Sequence, residues 1–185
     1  MRENRAALLM VAVIAFTAGY AAASLQLRCP VGQPQALVGE AGIRVLNDRS
    51  YYPVLISVLS SANKSIHISM FSYKNDHEVI ERITEILIAK SRQGLDVKVV
   101  LENSIDYNEL AYRRLRDAGV PVRFDSRALT THTKLVIVDG KIVFVGSHNF
   151  SYSAMERNHE ASVMITDPKV ASIEESYFEN IWRGG

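Results

Sequence analysis

Between residues 131 and 151 the chain reads THTKLVIVDGKIVFVGSHNFS, two apolar runs with His132 and Lys134 before them and Ser147 and Asn149 after them. Asp139-Gly140 between β-branched runs signals a two-residue hairpin turn, because both central positions of a type I′ turn need positive φ. That turn pairs Val138 with Lys141, Val136 with Val143, Lys134 with Val145 and His132 with Ser147. Side chains alternate along a strand, so His132, Lys134, Ser147 and Asn149 are expected on one face at the open end of the hairpin. Val136, Val138, Val143 and Val145 fill the rest of that face. Gly146 permits a tight bend or the close approach of a ligand.

A histidine near neutral pKa serves as nucleophile or proton donor, a lysine beside it supplies positive charge, and Ser and Asn add hydrogen-bond donors. Such a set suits an anionic centre, a phosphate above all. A divalent metal would want a carboxylate where Lys134 stands, so His132, His148 and His159 read poorly as metal ligands and no cofactor is expected.

The hairpin sits in a regular order of elements. IRVLN (43–47) reads as a strand, YYPVLISVLSSA (51–62) as a helix and SIHISMFSY (65–73) as a strand. HEVIERITEILIAKSRQG (77–94) is an amphipathic helix, LDVKVVLE (95–102) a buried strand, YNELAYRRLRDAG (107–119) a helix and VPVRFD (120–125) a strand. After the hairpin come a polar segment, a strand EASVMITD (160–167) and a closing helix from Pro168 expected to bury Ile173, Tyr177, Ile181 and Trp182. Strands alternating with helices predict an α/β fold: a mixed, largely parallel β-sheet with helices on both faces. No second copy of the hairpin occurs.

The chain has 185 residues, 48% of them hydrophobic, enough for one domain with a sizeable core. A net charge of +1 advertises no polyanionic partner, so nucleic-acid binding would need a local basic face. Arg113, Arg114 and Arg116 on one helix, followed by Arg123 and Arg127, are candidates for such a face or for plain solvated surface. Arg2 and Arg5 precede an uncharged stretch from Ala6 to Leu27, read as a signal peptide cut after Ala23 or as a retained membrane anchor within residues 1–29. Either reading leaves the remainder outside the cytoplasm, secreted, periplasmic or tethered to the membrane. Residues 30–42 read as a linker and 43–185 as the folded domain. Cys29, the single cysteine, reads as an incidental thiol in the linker and excludes an internal disulfide.

His132-x-Lys134, Asp139, Gly146-Ser147-x-Asn149 match the HxKxxxxD-x6-GSxN signature, and on these residues the chain resembles the phospholipase D superfamily, in particular its small exported endonucleases. The likeness runs from about Ile43 to the C-terminus; Thr131 departs from the polar ring or amide residue many relatives carry before the histidine. The resemblance implies two-step phosphodiester hydrolysis without metal. His132 would be nucleophile in one subunit and general acid in the other, which calls for a two-fold homodimer because each chain carries one motif. It further implies that Lys134, Asn149 and Ser147 hold the phosphate, and that Glu160 accepts from the far nitrogen of His132. Asp139 lies at the turn, about 20 Å of strand from His132, and reads as a structural member of the motif.

Other histidines have plainer readings: His67 as a structural histidine or one facing the site from a neighbouring strand, His77 as surface or capping, His148 and His159 as structural. Three functions stay open. They are a nonspecific nuclease acting on DNA or RNA, a lipid hydrolase acting on phospholipids such as cardiolipin, and a non-catalytic phosphate-binding module. The loop LENSIDYNEL (101–110), mostly polar, speaks against lipid.

Overall fold

The structure is a computed structural model that describes residues 42–184; the N-terminal segment, Cys29 and most of the linker lie outside the described residues. The strands are β1 (Gly42–Asn47), β2 (Ser65–Met70), β3 (Asp96–Leu101), β4 (Val122–Phe124), β5 (Lys134–Val138), β6 (Ile142–Gly146) and β7 (Ala161–Thr166). The helices are α1 (Tyr51–Ser61), α2 (Glu78–Arg92), α3 (Asn108–Asp117), α4 (Tyr152–Glu156) and α5 (Pro168–Trp182). One sheet takes the order β1-β7-β6-β5-β2-β3-β4. It is mixed, as expected, but its balance differs from the expectation. Only β2–β3 and β3–β4 run parallel, and the four other neighbouring pairs are antiparallel. Crossovers through α2 and α3 make the parallel half. The link from Val138 to Ile142 after β5 is too brief for a crossover and forces reversal.

Helices cover both faces. On one, Ile66, Ile68, Met70, Val97, Val99, Val136, Val138 and Phe144 pack with α1, α2 and α3 through Leu55, Leu59, Ile80, Ile83, Leu87, Ala111 and Leu115. On the other, Val100, Leu135, Ile137 and Val143 pack against Ala171, Phe178 and Ile181 of α5. Two expected core residues of that helix are corrected: Ile173 is 67% and Tyr177 48% exposed. The buried stripe is centred on Phe178, and at about 100° per residue Tyr177 falls on its flank and Ile173 well beyond it, toward the opposite side. Asp167 caps α5 by accepting from Lys169 N at 2.7 Å, with Pro168 in the first turn.

The hairpin register is also corrected. Asp139 (φ 57°) and Gly140 (φ 61°) both take positive φ, and Lys141 N donates to Val138 O at 3.0 Å, as the turn requires. Lys141 nonetheless stays outside the ladder. Val138 therefore pairs with Ile142, Val136 with Phe144 and Leu135 with Val145, one residue from the expected pairing. Both faces of this hairpin are covered by helices, so alternation of apolar and polar residues could not select the register. The slip turns Phe144 to the larger core and Val143 and Val145 away from the face of Val136. The Asp139 carboxylate accepts from Lys64 N at 2.7 Å and from Asn63 N and Ser65 N at 3.1 Å, tying the turn to the start of β2.

Candidate active site

His132 stands in the irregular stretch before β5, not on the strand, so neighbouring segments must hold it. Thr131 N donates to Glu102 Oε2 at 2.6 Å and to Asp125 Oδ2 at 3.1 Å. His132 N donates to Thr130 O at 3.1 Å, and Thr133 O accepts from Phe71 N at 2.8 Å. Thr133 Oγ1 meets Ser69 Oγ at 2.6 Å. Backbone groups on both sides of His132 are thus fixed while its ring stays exposed. The ring meets the edge or face of Phe71 with centroids 4.4 Å apart at 61°.

Lys134 begins β5 and is buried. Its Nζ donates to His132 O at 3.0 Å and lies 3.2 Å from His132 Nε2. An ammonium has no lone pair to offer, so in this pairing Nε2 carries the lone pair. Burial pushes the Lys134 ammonium below the ordinary lysine range, an effect that the negative charge of Glu160 partly offsets.

After β6 the chain crosses the end of the sheet. Ser147 N donates to Ala161 O at 3.0 Å on the β7 side, whereas Phe150 N donates to Ser72 O at 2.9 Å beyond β2. The connecting residues, Asn149 among them, therefore pass over the end of β5 where His132 and Lys134 sit. Asn149 Oδ1 is buried without a hydrogen-bond partner among the described residues. Ser147 Oγ donates to Glu160 Oε2, and Asn158 Nδ2 donates to Glu160 Oε1 at 2.9 Å. The expected bond from Glu160 to the far nitrogen of His132 is not formed within the chain. Ser147 does not lie across a ladder from His132 either, because His132 precedes the strand. Gly146 is explained by the sheet: a Cβ there would collide with Ser162 of β7, so the close approach is to backbone and not to a ligand.

Asp139 sits at the far end of β5 from His132, a structural place. His148 is fully buried: Nε2 donates to Asp48 O at 3.0 Å, Nδ1 accepts from Ser162 Oγ at 2.7 Å, and the ring stacks on Tyr51. Burial holds its pKa below the ordinary value, so it is a neutral structural group. His77 caps α2, its Nδ1 accepting from Val79 N at 3.3 Å, and exposed His159 meets Asp48 at 3.3 Å. His67 faces α5, bridging Glu175 at 2.5 Å and Asp96 at 3.2 Å. The basic helix is largely self-neutralised: Arg113 pairs with Glu109, Arg114 with Glu81 and Arg116 with Asp117. Arg123 donates to Trp182 O, and Arg127 lines a groove of about 470 Å³ with Asn103, Asp106, Phe124 and Asp125.

Three residues at this end escaped the reading of the sequence. Phe71 looked like the last apolar residue of a strand. Glu102 is a buried carboxylate at the end of β3. Asn108 is fully buried at the start of α3; its Oδ1 accepts from Tyr73 N at 2.7 Å, and its Nδ2 donates to Phe71 O at 2.9 Å and Glu102 O at 2.8 Å. An acid directly after the buried residues of β3 was the available signal for Glu102.

Comparison with known proteins agrees with this arrangement. A family model described as "Cardiolipin synthase, PLD-like domain" matches residues 55–182. The mitochondrial cardiolipin hydrolase of Chlamydomonas reinhardtii is 27% identical over 128 residues, covering 69% of this chain and 55% of that protein. A phospholipase D of Rickettsia prowazekii (strain Madrid E) is 30% identical over 127 residues, covering 68% of this chain and 58% of that protein. The chain thus spans little more than half the length of these two relatives. Among solved structures, Nuc from Salmonella typhimurium, a phospholipase D family member, superposes with a TM-score of 0.70 at 28% identity, over 78% of this chain and 96% of that chain. NucT from Helicobacter pylori shares the fold, with a TM-score of 0.62 at 21% identity over 77% of this chain and 97% of that chain. With His132, Lys134 and Asn149 at one end of β5 and the family match spanning most of the described sheet, the chain belongs to the phospholipase D superfamily.

Proposed function

We propose that this chain is a nonspecific nuclease that cleaves DNA or RNA without metal, through a phosphohistidine on His132, in a site completed by a second copy of the chain. The contact of 3.2 Å between Lys134 Nζ and His132 Nε2 carries the reading. When a phosphodiester enters, Lys134 moves its donation from the imidazole to a non-bridging oxygen, and Nε2 is freed to attack phosphorus. A P–N bond forms, a P–O bond breaks, and the leaving oxygen takes a proton from His132 of the second copy. That histidine then deprotonates water, which attacks phosphorus, breaks the P–N bond and releases a monoester. Lys134 and Asn149 stabilise the charge on the pentavalent centre, and Ser147 adds a hydroxyl.

The second copy has a suitable surface. Helix α5 lies over β2, β5 and β6, leaving the same face of β7 and β1 uncovered among the described residues, with Ile43 and Val45 exposed beside Val145. Glu175 and Glu179 turn one flank of α5 to β2 and β3. Tyr177 therefore lies on the other flank, on the side of the uncovered strands, and with Ile43, Val45 and Val145 offers an apolar area that a two-fold partner can cover.

For the substrate, exposed Tyr107 beneath Lys74 pairs a ring face with a cation, as single-stranded nucleic acid favours. The match to Nuc along nearly the whole of that chain supports the same choice. A lipid substrate is the second reading, favoured by Leu129, 72% exposed in the loop leading to His132. The charge-flanked apolar segment before residue 28 supports action outside the cytoplasm. Incubating the purified chain with plasmid, RNA and cardiolipin vesicles in excess EDTA separates these readings. Cleavage of nucleic acid is expected; hydrolysis of the vesicles alone would favour lipid, and dependence on added metal would contradict the phosphohistidine route.

A further inference from the structure

We propose that Phe71 is a positioning residue for the His132–Lys134 pair, its ring setting the orientation of the imidazole and keeping the Lys134 ammonium charged. The ring touches both groups: its centroid lies 4.4 Å from that of His132 and 4.7 Å from Lys134 Nζ. A cation over an aromatic face is attracted by the ring quadrupole, and the attraction grows where water is excluded, as it is around buried Lys134. The contact is built into the fold. Phe71 N donates to Thr133 O at 2.8 Å, and Phe71 O accepts from Asn108 Nδ2 at 2.9 Å. Asn108 in turn binds Glu102 O, and the Glu102 side chain holds Thr131 N. The loop of His132 and the residue facing its ring thus hang on one bracket of two buried side chains.

The groups facing Lys134 are His132 from its own segment and Glu160 from the start of β7. Burial works against the ammonium, Glu160 works for it, and the Phe71 face adds to Glu160. An aliphatic side chain of similar size would fill the same space without the quadrupole. Size and aromaticity can therefore be tested apart. The inference rests on phosphodiester chemistry at His132 and is independent of whether the substrate is nucleic acid or lipid.

The test compares Phe71→Leu with Phe71→Tyr in the full chain, by two readouts. The first is hydrolysis of bis(p-nitrophenyl) phosphate, a diester with neither base nor acyl chain. The second is the NMR titration of the Lys134 side chain without substrate, which stays readable even if that diester is a poor substrate. For Phe71→Leu, kcat is expected to fall at least about tenfold with KM nearly unchanged. The Lys134 titration, and the alkaline limb of the kcat profile with it, is expected to move down by about half a pH unit. Phe71→Tyr should restore both. A Lys134 titration that is the same in wild type and Phe71→Leu overturns the proposal, as does a tyrosine variant as impaired as the leucine one. Matching thermal unfolding of the variants excludes a loss of fold as the cause.

Discussion

His132 and Lys134 lie two positions apart, yet different parts of the structure place them: Lys134 begins a strand, whereas His132 hangs on hydrogen bonds from Phe71, Glu102 and Asp125 to its neighbours. His132→Ala is therefore expected to lower turnover by about 10³-fold or more while leaving the unfolding temperature nearly unchanged, since the residue is exposed and its one aromatic contact is with Phe71. Steady-state kinetics and a thermal melt read both halves of that statement. Lys134 sets a pH limit. Its ammonium is needed as a donor, and burial lowers its pKa, so activity should fail on the alkaline side at a pH below the ordinary lysine value of 10.5. A kcat profile that stays flat past that value would contradict the role. The motif residues themselves were legible from spacing. Their partners were not, because Phe71 meets His132, Glu102 holds Thr131 and Asn108 holds Phe71 through contacts between segments far apart in sequence.

At the level of elements, nearly every strand and helix could be read from period and turn chemistry, and the Asp139-Gly140 turn forms as its residues dictate. The register of the hairpin could not be read. Lys141 is extra to the ladder, and with apolar residues on both faces no polar stripe marks which side is out. The face assigned to Ser147 failed for that reason, while Asn149 reaches the site by the crossing of the chain after β6. Gly146 marks where β6 and β7 come closest. Gly146→Ala should destabilise the fold by about 1–3 kcal/mol, measured by denaturant unfolding, because the methyl group meets Ser162. Helix α5 is held by charge as well as by Phe178. Burial opposes protonation of His67, but the hydrogen bonds and charges of Glu175 and Asp96 outweigh it and raise the pKa above the ordinary 6.5. Protonated His67 thus stabilises the fold fully below about pH 6.5, and that contribution is lost as pH rises through the raised value. The difference in melting temperature between wild type and His67→Phe should therefore be larger at pH 6 than at pH 9; equal differences would contradict the clamp.

For the whole molecule, the single motif and an apolar half-face that no described residue covers both support the proposed two-fold assembly. If the proposed dimer forms there, Val45→Asp or Tyr177→Asp, placed in that area away from His132, should convert it to a monomer in sedimentation and abolish turnover together. Neither the bare face nor the exposure of Ile173 and Tyr177 was legible in the sequence, since an apolar residue at helical spacing reads as core whether its partner lies in the same chain or another. The central claim is a covalent bond to His132. The most direct measurement is to mix the protein with 32P-labelled nucleic acid in excess EDTA, quench in alkali within the first turnover and map the label by peptide. Label on the His132 peptide, stable to alkali, labile to acid and absent from His132→Ala, is the predicted result; cleavage that requires a divalent metal and leaves no label on the protein would contradict it.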